Sequence, residues 1–247
     1  MKANANRQDA ELPSAALRRQ PRAAGALLVA GPAIFLLAEF VTAAAWTKPA
    51  YSYTYDFISN LGVRGPSTLF GQYMYSPLAP LMNAGFILFG IVILVGISLL
   101  RGLPVRHRLA LLAPATMLAV GGVLLGIFPG SGESLEDGTG DFHSSGAFLG
   151  FIGANVLAIL LGRMRQRLGF SSGLGRALIA VGAIGLVSTV LYLALIVSSV
   201  GDGGPVIGVI GLIERGATHP FLIGTLCSGV SILSRGPRAA SAQTTPA

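Results

Sequence analysis

Apolar residues gather into six long runs divided by short polar stretches: residues 23–45, 80–100, 109–128, 146–162, 177–200 and 213–233. Wound as helices, each is long enough to cross the roughly 30 Å hydrocarbon core of a bilayer. The pattern predicts an all-α, polytopic bundle of about six transmembrane helices over residues 23–234, between polar tails at 1–22 and 235–247. The connections on one side are short and basic. Those on the other side differ: 46–79 is long and aromatic and is expected to pack over the bundle, while 129–142 and the stretch from Asp202 to Pro205 are acidic or glycine-rich and read as irregular turns.

Lysine and arginine set the orientation. Lys2, Arg7, Arg18, Arg19, Arg22, Arg101, Arg106, Arg108, Arg163, Arg165, Arg167, Arg176, Arg235 and Arg238 all fall on one side of a six-span chain. Only Lys48, Arg64 and Arg215 fall on the other. Short basic loops resist translocation, so both tails are expected in the cytoplasm, and the protein in the cell (inner or plasma) membrane. A cleaved secretory signal is the competing reading of the first run, with Ala43, Ala44 and Ala45 resembling a cleavage site. Its length, and Glu39 inside it, favour a retained helix.

Composition agrees with a lipid solvent: 52% of residues are hydrophobic and 11% charged, too little charge to cover a water-soluble surface. The 34 glycines are spread through the apolar runs, where they suit close helix packing. The net charge of +7 is explained by orientation and lipid head groups, so the expected partner is the bilayer and not nucleic acid. Cys227 is the single cysteine and has no disulfide partner in the chain.

Ionisable residues at membrane depth mark candidate chemistry because charge there is costly. Glu39 lies about 9 Å inside the first span at helical rise. His143 opens the fourth span, and Glu214, Arg215 and His219 lie near the start of the sixth. Asp56, Ser59 and Asn60 in the first outer loop, and Asp141, can join them over one outward-facing mouth if that loop folds inward. Such a set can bind a divalent metal or carry acid-base chemistry, with Asp141, His143, Glu214 and His219 as ligands and Glu39, Asp56 or Ser59 as catalytic groups. Structural roles compete: Glu39 can pair with Arg215, His143 can cap its helix or bond Asp141, and His219-Pro220 can merely shape the start of span six. No HExxH pair and no phosphate-binding glycine loop is present; the one cofactor the residues suggest is a divalent metal, and no residue is assigned to any other.

The segments Asp56-Phe57-Ile58-Ser59-Asn60-Leu61-Gly62, Phe128-Pro129, Asp141-Phe142-His143 and Gly211-Leu212-Ile213-Glu214-Arg215 together resemble the bacterial and archaeal membrane family catalogued as domain of unknown function 998. The resemblance implies a six-helix or similar bundle in the inner membrane and no particular reaction. More remotely, the chain is similar to the seven-helix membrane hydrolases that include alkaline ceramidases, whose site joins serine, aspartate and histidines around zinc. By that similarity Ser59, Asp141, His143 and His219 take those parts, although the paired histidines of the last helix are absent here. Three functions stand open: a non-enzymatic, small-molecule-handling or accessory bundle; a metal-assisted hydrolase of a lipid-like substrate; and a proton- or cation-coupled transporter using Glu39.

Overall fold

The structure, a computed structural model, describes residues 20–202 and 205–235. The predicted polar tails, 1–22 and 235–247, lie almost wholly outside the described residues, as do Gly203 and Gly204 of the connection that precedes the last apolar run. The elements in chain order are α1 (Arg22–Ala45), a 3-10 turn (Ile58–Gly62), β1 (Ser67–Leu69), β2 (Gln72–Met74), α2 (Ala79–Ser98), α3 (Val105–Ile127), α4 (Gly132–Asp137), α5 (Gly140–Arg163), α6 (Arg165–Leu168), α7 (Ser172–Asp202) and α8 (Ile210–Leu233). Six of these helices are long and apolar enough to cross a membrane, and each covers one of the six apolar runs to within two residues of its end.

The chain runs up and down, and α1, α2, α3, α5, α7 and α8 pack in sequence order into a ring that α8 closes against α1. Because α5 also touches α8 directly, α7 is displaced to the outside of the ring. It accordingly leaves large apolar side chains uncovered, Val187 and Val190 being 69% and 68% exposed, as a lipid-facing helix should. Asn155 of α5 joins the ring's interior, donating to its own Phe151 carbonyl and to the Ala217 carbonyl of α8, both at 2.8 Å. In hydrocarbon such a bond removes a polar group from an unfavourable solvent.

Two ends of the bundle differ in character. At the basic end lie the α2–α3, α5–α7 and C-terminal segments with their arginines; Gln20 bonds both the N–H and the carbonyl of Arg101 there, at 2.8 and 3.0 Å. At the loop end the 46–78 connection folds inward. The 3-10 turn packs on α1, α2 and α8, and β1 and β2 pair antiparallel beside it, with Thr68 opposite Tyr73.

The structure corrects three details. The 129–142 connection is not wholly irregular, because Ser131 and Ser134 form a reciprocal cap that starts α4. Helix α5 begins at Gly140, with Asp141 in its first turn where the helix dipole favours a carboxylate. Pro220 lies inside α8 and so does not shape its start.

Helices α3 and α5 pack with their backbones close together. A Cβ on Gly121 would sit 2.6 Å from both the Gly146 carbonyl oxygen and the Gly150 nitrogen, backbone on either side that cannot turn away. Gly121→Ala is therefore expected to destabilise the bundle by about 1–3 kcal/mol, read as a lower thermal unfolding midpoint in detergent. Gly173→Ala, where a Cβ would have only the Ser171 hydroxyl 3.9 Å away, should leave the midpoint unchanged or raise it; equal losses at both positions would contradict this packing.

Candidate functional site

Glu39 is fully buried on α1, and its two carboxylate oxygens go to two residues one turn apart on α8. Arg215 Nε donates to Oε1 at 3.0 Å, and His219 Nε2 bonds Oε2 at 2.9 Å. Positions 215 and 219 share a helix face, so one carboxylate can meet both. The rest of the guanidinium holds the loop: Nη1 donates to the carbonyls of Tyr53 at 2.7 Å, Gly211 at 3.0 Å and Asp56 at 3.2 Å, and Nη2 donates to the Tyr51 hydroxyl. The rings of Tyr53 and Tyr51 lie 4.9 and 5.5 Å from the guanidinium carbon, within cation–π range. Every side of the Arg215 charge is thus occupied.

The loop is built to receive that charge. Tyr51 passes its own hydroxyl proton to the Phe57 carbonyl at 3.0 Å, and burial pushes this phenol far above its ordinary range against the opposing pull of Arg215, so it stays neutral. Asp56 folds its carboxylate back onto the Ser52 N–H at 2.7 Å. Burial raises its pKa, while that N–H and the Arg215 charge oppose the rise. Gln72 of β2 is fully buried and ties the turn from beneath, accepting from Asn60 and donating to the Tyr55 carbonyl, each at 2.6 Å. Gly211 has no side chain where α8 meets the loop; a Cβ there would run into the Asp56 carbonyl. The neighbouring Leu212 N–H donates to Thr54 at 3.0 Å.

Glu214 points elsewhere. One residue from Arg215 is about 100° round the helix, and this carboxylate turns from the α1 seam toward the ring's centre, where Oε2 accepts the Ile58 N–H at 2.6 Å. There it forms part of the wall of a cavity of about 200 Å³. The wall is largely aromatic and aliphatic, with Phe35, Phe86, Phe89, Phe151, Tyr192 and Phe221. Ser59, Glu214, Asp141 and His143 add polar groups toward the loop end. Phe221 lies eleven residues into α8, so the cavity reaches on the order of 16 Å into the bundle. Its way out passes Leu135, Asp141 and Ser144 between α4 and α5, which line it and are exposed. His143 Nδ1 lies 2.8 Å from the Phe128 carbonyl oxygen; an oxygen acceptor requires the proton on Nδ1.

The residues singled out from sequence therefore divide into two groups. Glu39 and His219 gather with Arg215 in an ion cluster that Asp56 joins through its backbone carbonyl, and Ser59, Asp141, His143 and Glu214 stand on the cavity wall. The trio Glu39, Asp56 and Ser59 does not share one place. Nor do the four expected ligands form a set: His219 turns to Glu39 and His143 to Phe128, and among the described residues no three His, Cys, Asp or Glu side chains group as a metal site would need. Glu39 pairs with Arg215, as one of the two expectations for it held, and His143 bonds Phe128 instead of Asp141. Sequence reasoning missed the roles of Tyr51 and Gln72 and the aromatic wall, whose members come from five different helices.

Removing one partner from a buried ion pair strands the other. Glu39→Gln should lower unfolding stability in detergent by about 3–5 kcal/mol. His219→Gln, at a position whose side chain is 26% exposed and which the Arg215 charge does not depend on, should cost about 1 kcal/mol. Equal losses in thermal unfolding would contradict the division of labour between the two bonds.

The family resemblance now has a spatial meaning. Its four segments meet in pairs: Asp56–Gly62 lies against Gly211–Arg215 through the Ile58–Glu214 and Asp56–Arg215 bonds, and Phe128 meets Phe142 and His143 through ring stacking at 4.8 Å and the histidine bond. No curated protein and no solved structure matches the chain. A family model described as protein of unknown function, DUF998, matches residues 29–231, which span the bundle from α1 to α8, and the chain belongs to that family of multi-pass membrane proteins.

Proposed function

We propose that the protein is a binding bundle of the cell membrane, which admits a small, mainly apolar molecule to its central cavity from the outer face. The observation that carries this reading is the cavity itself: apolar and aromatic walls with a few polar groups at one end are the usual make-up of a small-molecule site. At about 200 Å³ it is below the usual range for drug-sized ligands and suits a short single-chain amphiphile. The distribution of lysine and arginine, fourteen of seventeen of which fall in the tails and the connections of one side of a six-span chain, supports an orientation with the loop end and the cavity mouth outside and both tails in the cytoplasm. Binding is favoured over metal-assisted hydrolysis because His143 and His219 are each engaged elsewhere. The ion cluster beside the cavity serves structure: it holds the lid-like 51–60 segment to α8.

Orientation is checked with single cysteines in a Cys227→Ser background. Substitutions at Arg64 and Asp137, both exposed, should react with a membrane-impermeant maleimide on intact cells, and one at Gln166 only after permeabilisation; the reverse pattern would overturn the topology. Occupancy is checked with a short alkyl alcohol carrying a diazirine, photolysed on protein in nanodiscs. Cross-links are expected on peptides bearing Phe86, Phe89 and Phe151, and Ala154→Phe, which places a ring at the cavity wall, should abolish them while the lipid-facing surface of α7 still labels. Cavity peptides that label equally in wild type and Ala154→Phe would refute occupancy.

A further inference from the structure

Resting on that reading of the cavity, we infer that its ligand carries a positively charged, hydrogen-bond-donating head group, and that the class is a short alkylamine-type amphiphile. The charged groups facing the cavity are all acidic, among neutral hydroxyl and amide groups that can both donate and accept. Glu214 and Asp141 are carboxylates, and His143, with its Nδ1 proton given to Phe128, has only an acceptor nitrogen left in the neutral ring. No lysine or arginine lines the cavity. Arg215 stands next to Glu214 in the chain, but its charge is answered by Glu39, and its donors go to Tyr51, Tyr53, Asp56 and Gly211. Among the described residues the ion pairs are Arg215 and His219 with Glu39, which leaves Glu214 and Asp141 without a cationic partner.

Glu214 is 5% exposed, and the Ile58 and Ser59 N–H groups bond its carboxylate without supplying a charge. A carboxylate in that position favours an ammonium as its missing counter-charge. The aromatic wall adds to the preference: Phe57 and Tyr192 stand on the same cavity as Glu214, and their rings meet edge to face at 5.8 Å, offering π surface to a cation. An anionic head would meet two carboxylates and no donor charge. A neutral hydroxyl would gain hydrogen bonds but no ion pairing.

The test is competition against the diazirine alcohol in zwitterionic nanodiscs, with α7 labelling as the measure of bilayer partitioning. Octylamine, octanol and octanoate are the competitors. Octylamine is expected to suppress cavity labelling at about tenfold lower concentration than octanol, with octanoate the weakest. Glu214→Gln should remove most of that advantage and leave octanol competition unchanged. Asp141→Asn, at an exposed position that the fold does not depend on, should reduce it in part, which keeps the inference testable if Glu214→Gln fails to fold. Octylamine competing no better than octanol, or retaining its advantage in the double variant, would overturn the inference and leave the cavity reading standing. Failure of all three competitors would overturn both.

Discussion

The bond between Glu39 and Arg215 closes the bundle. A carboxylate on the first long helix and a guanidinium on the last face each other across the seam where the ring begins and ends. At membrane depth neither charge is tolerable alone, so the seam cannot open without stranding two ions. Helix α8 is thereby held in register and rotation. With Arg215 fixed toward α1, Glu214 has to face the ring's interior and Gly211 the loop. The cavity's buried carboxylate is placed by a contact in which it takes no part.

The same guanidinium explains why a 33-residue connection between α1 and α2 does not float at the interface. Two of that connection's backbone carbonyls, Tyr53 and Asp56, and the Tyr51 phenol oxygen converge on Arg215. Carbonyls of an irregular segment near hydrocarbon need such partners, because water is scarce to solvate them. In return the loop supplies what the ion pair lacks, namely hydrogen bonds to the guanidinium protons that Glu39 does not reach. Lock and loop are mutually dependent, and buried Gln72 keeps the turn in the shape that both require.

Spans were legible in the sequence because hydrophobic length is nearly all that a bilayer demands of a helix. Pairing of Glu39 with Arg215 was legible for a related reason: few charges lie at that depth, and one arginine stands among them. Much of the remainder was not. Helices in lipid are apolar on both faces, so periodicity does not say which phenylalanines of α1, α2, α5 and α8 turn inward, and the cavity they enclose leaves no trace in any one segment. The start of α5 at Gly140 was hidden because its first turn is polar, and α4 because a two-serine cap resembles loop composition. His143 could be placed at a helix start but not matched to Phe128, since a backbone carbonyl fifteen residues away has no residue-type signature.

Adjacent positions 214 and 215 carry opposite charges in opposite settings, and this is the step from architecture to use. Had both residues turned to the same seam, Glu214 would compete with Glu39 for the guanidinium and the centre of the ring would be wholly apolar. The angular offset of one residue in a helix separates them: Arg215 is saturated by the protein, while Glu214 is met by backbone N–H groups of the 3-10 turn, Ile58 at 2.6 Å and its neighbour Ser59, and by no ion pair of its own on the cavity side. Structural demand is met on one side of α8, and chemical demand is left over on the other. A membrane bundle that only needed to fold would gain by replacing Glu214 with an apolar residue of similar volume. Its presence beside a cavity, with the neighbouring arginine paired to Glu39, argues that its counter-charge comes from outside the chain.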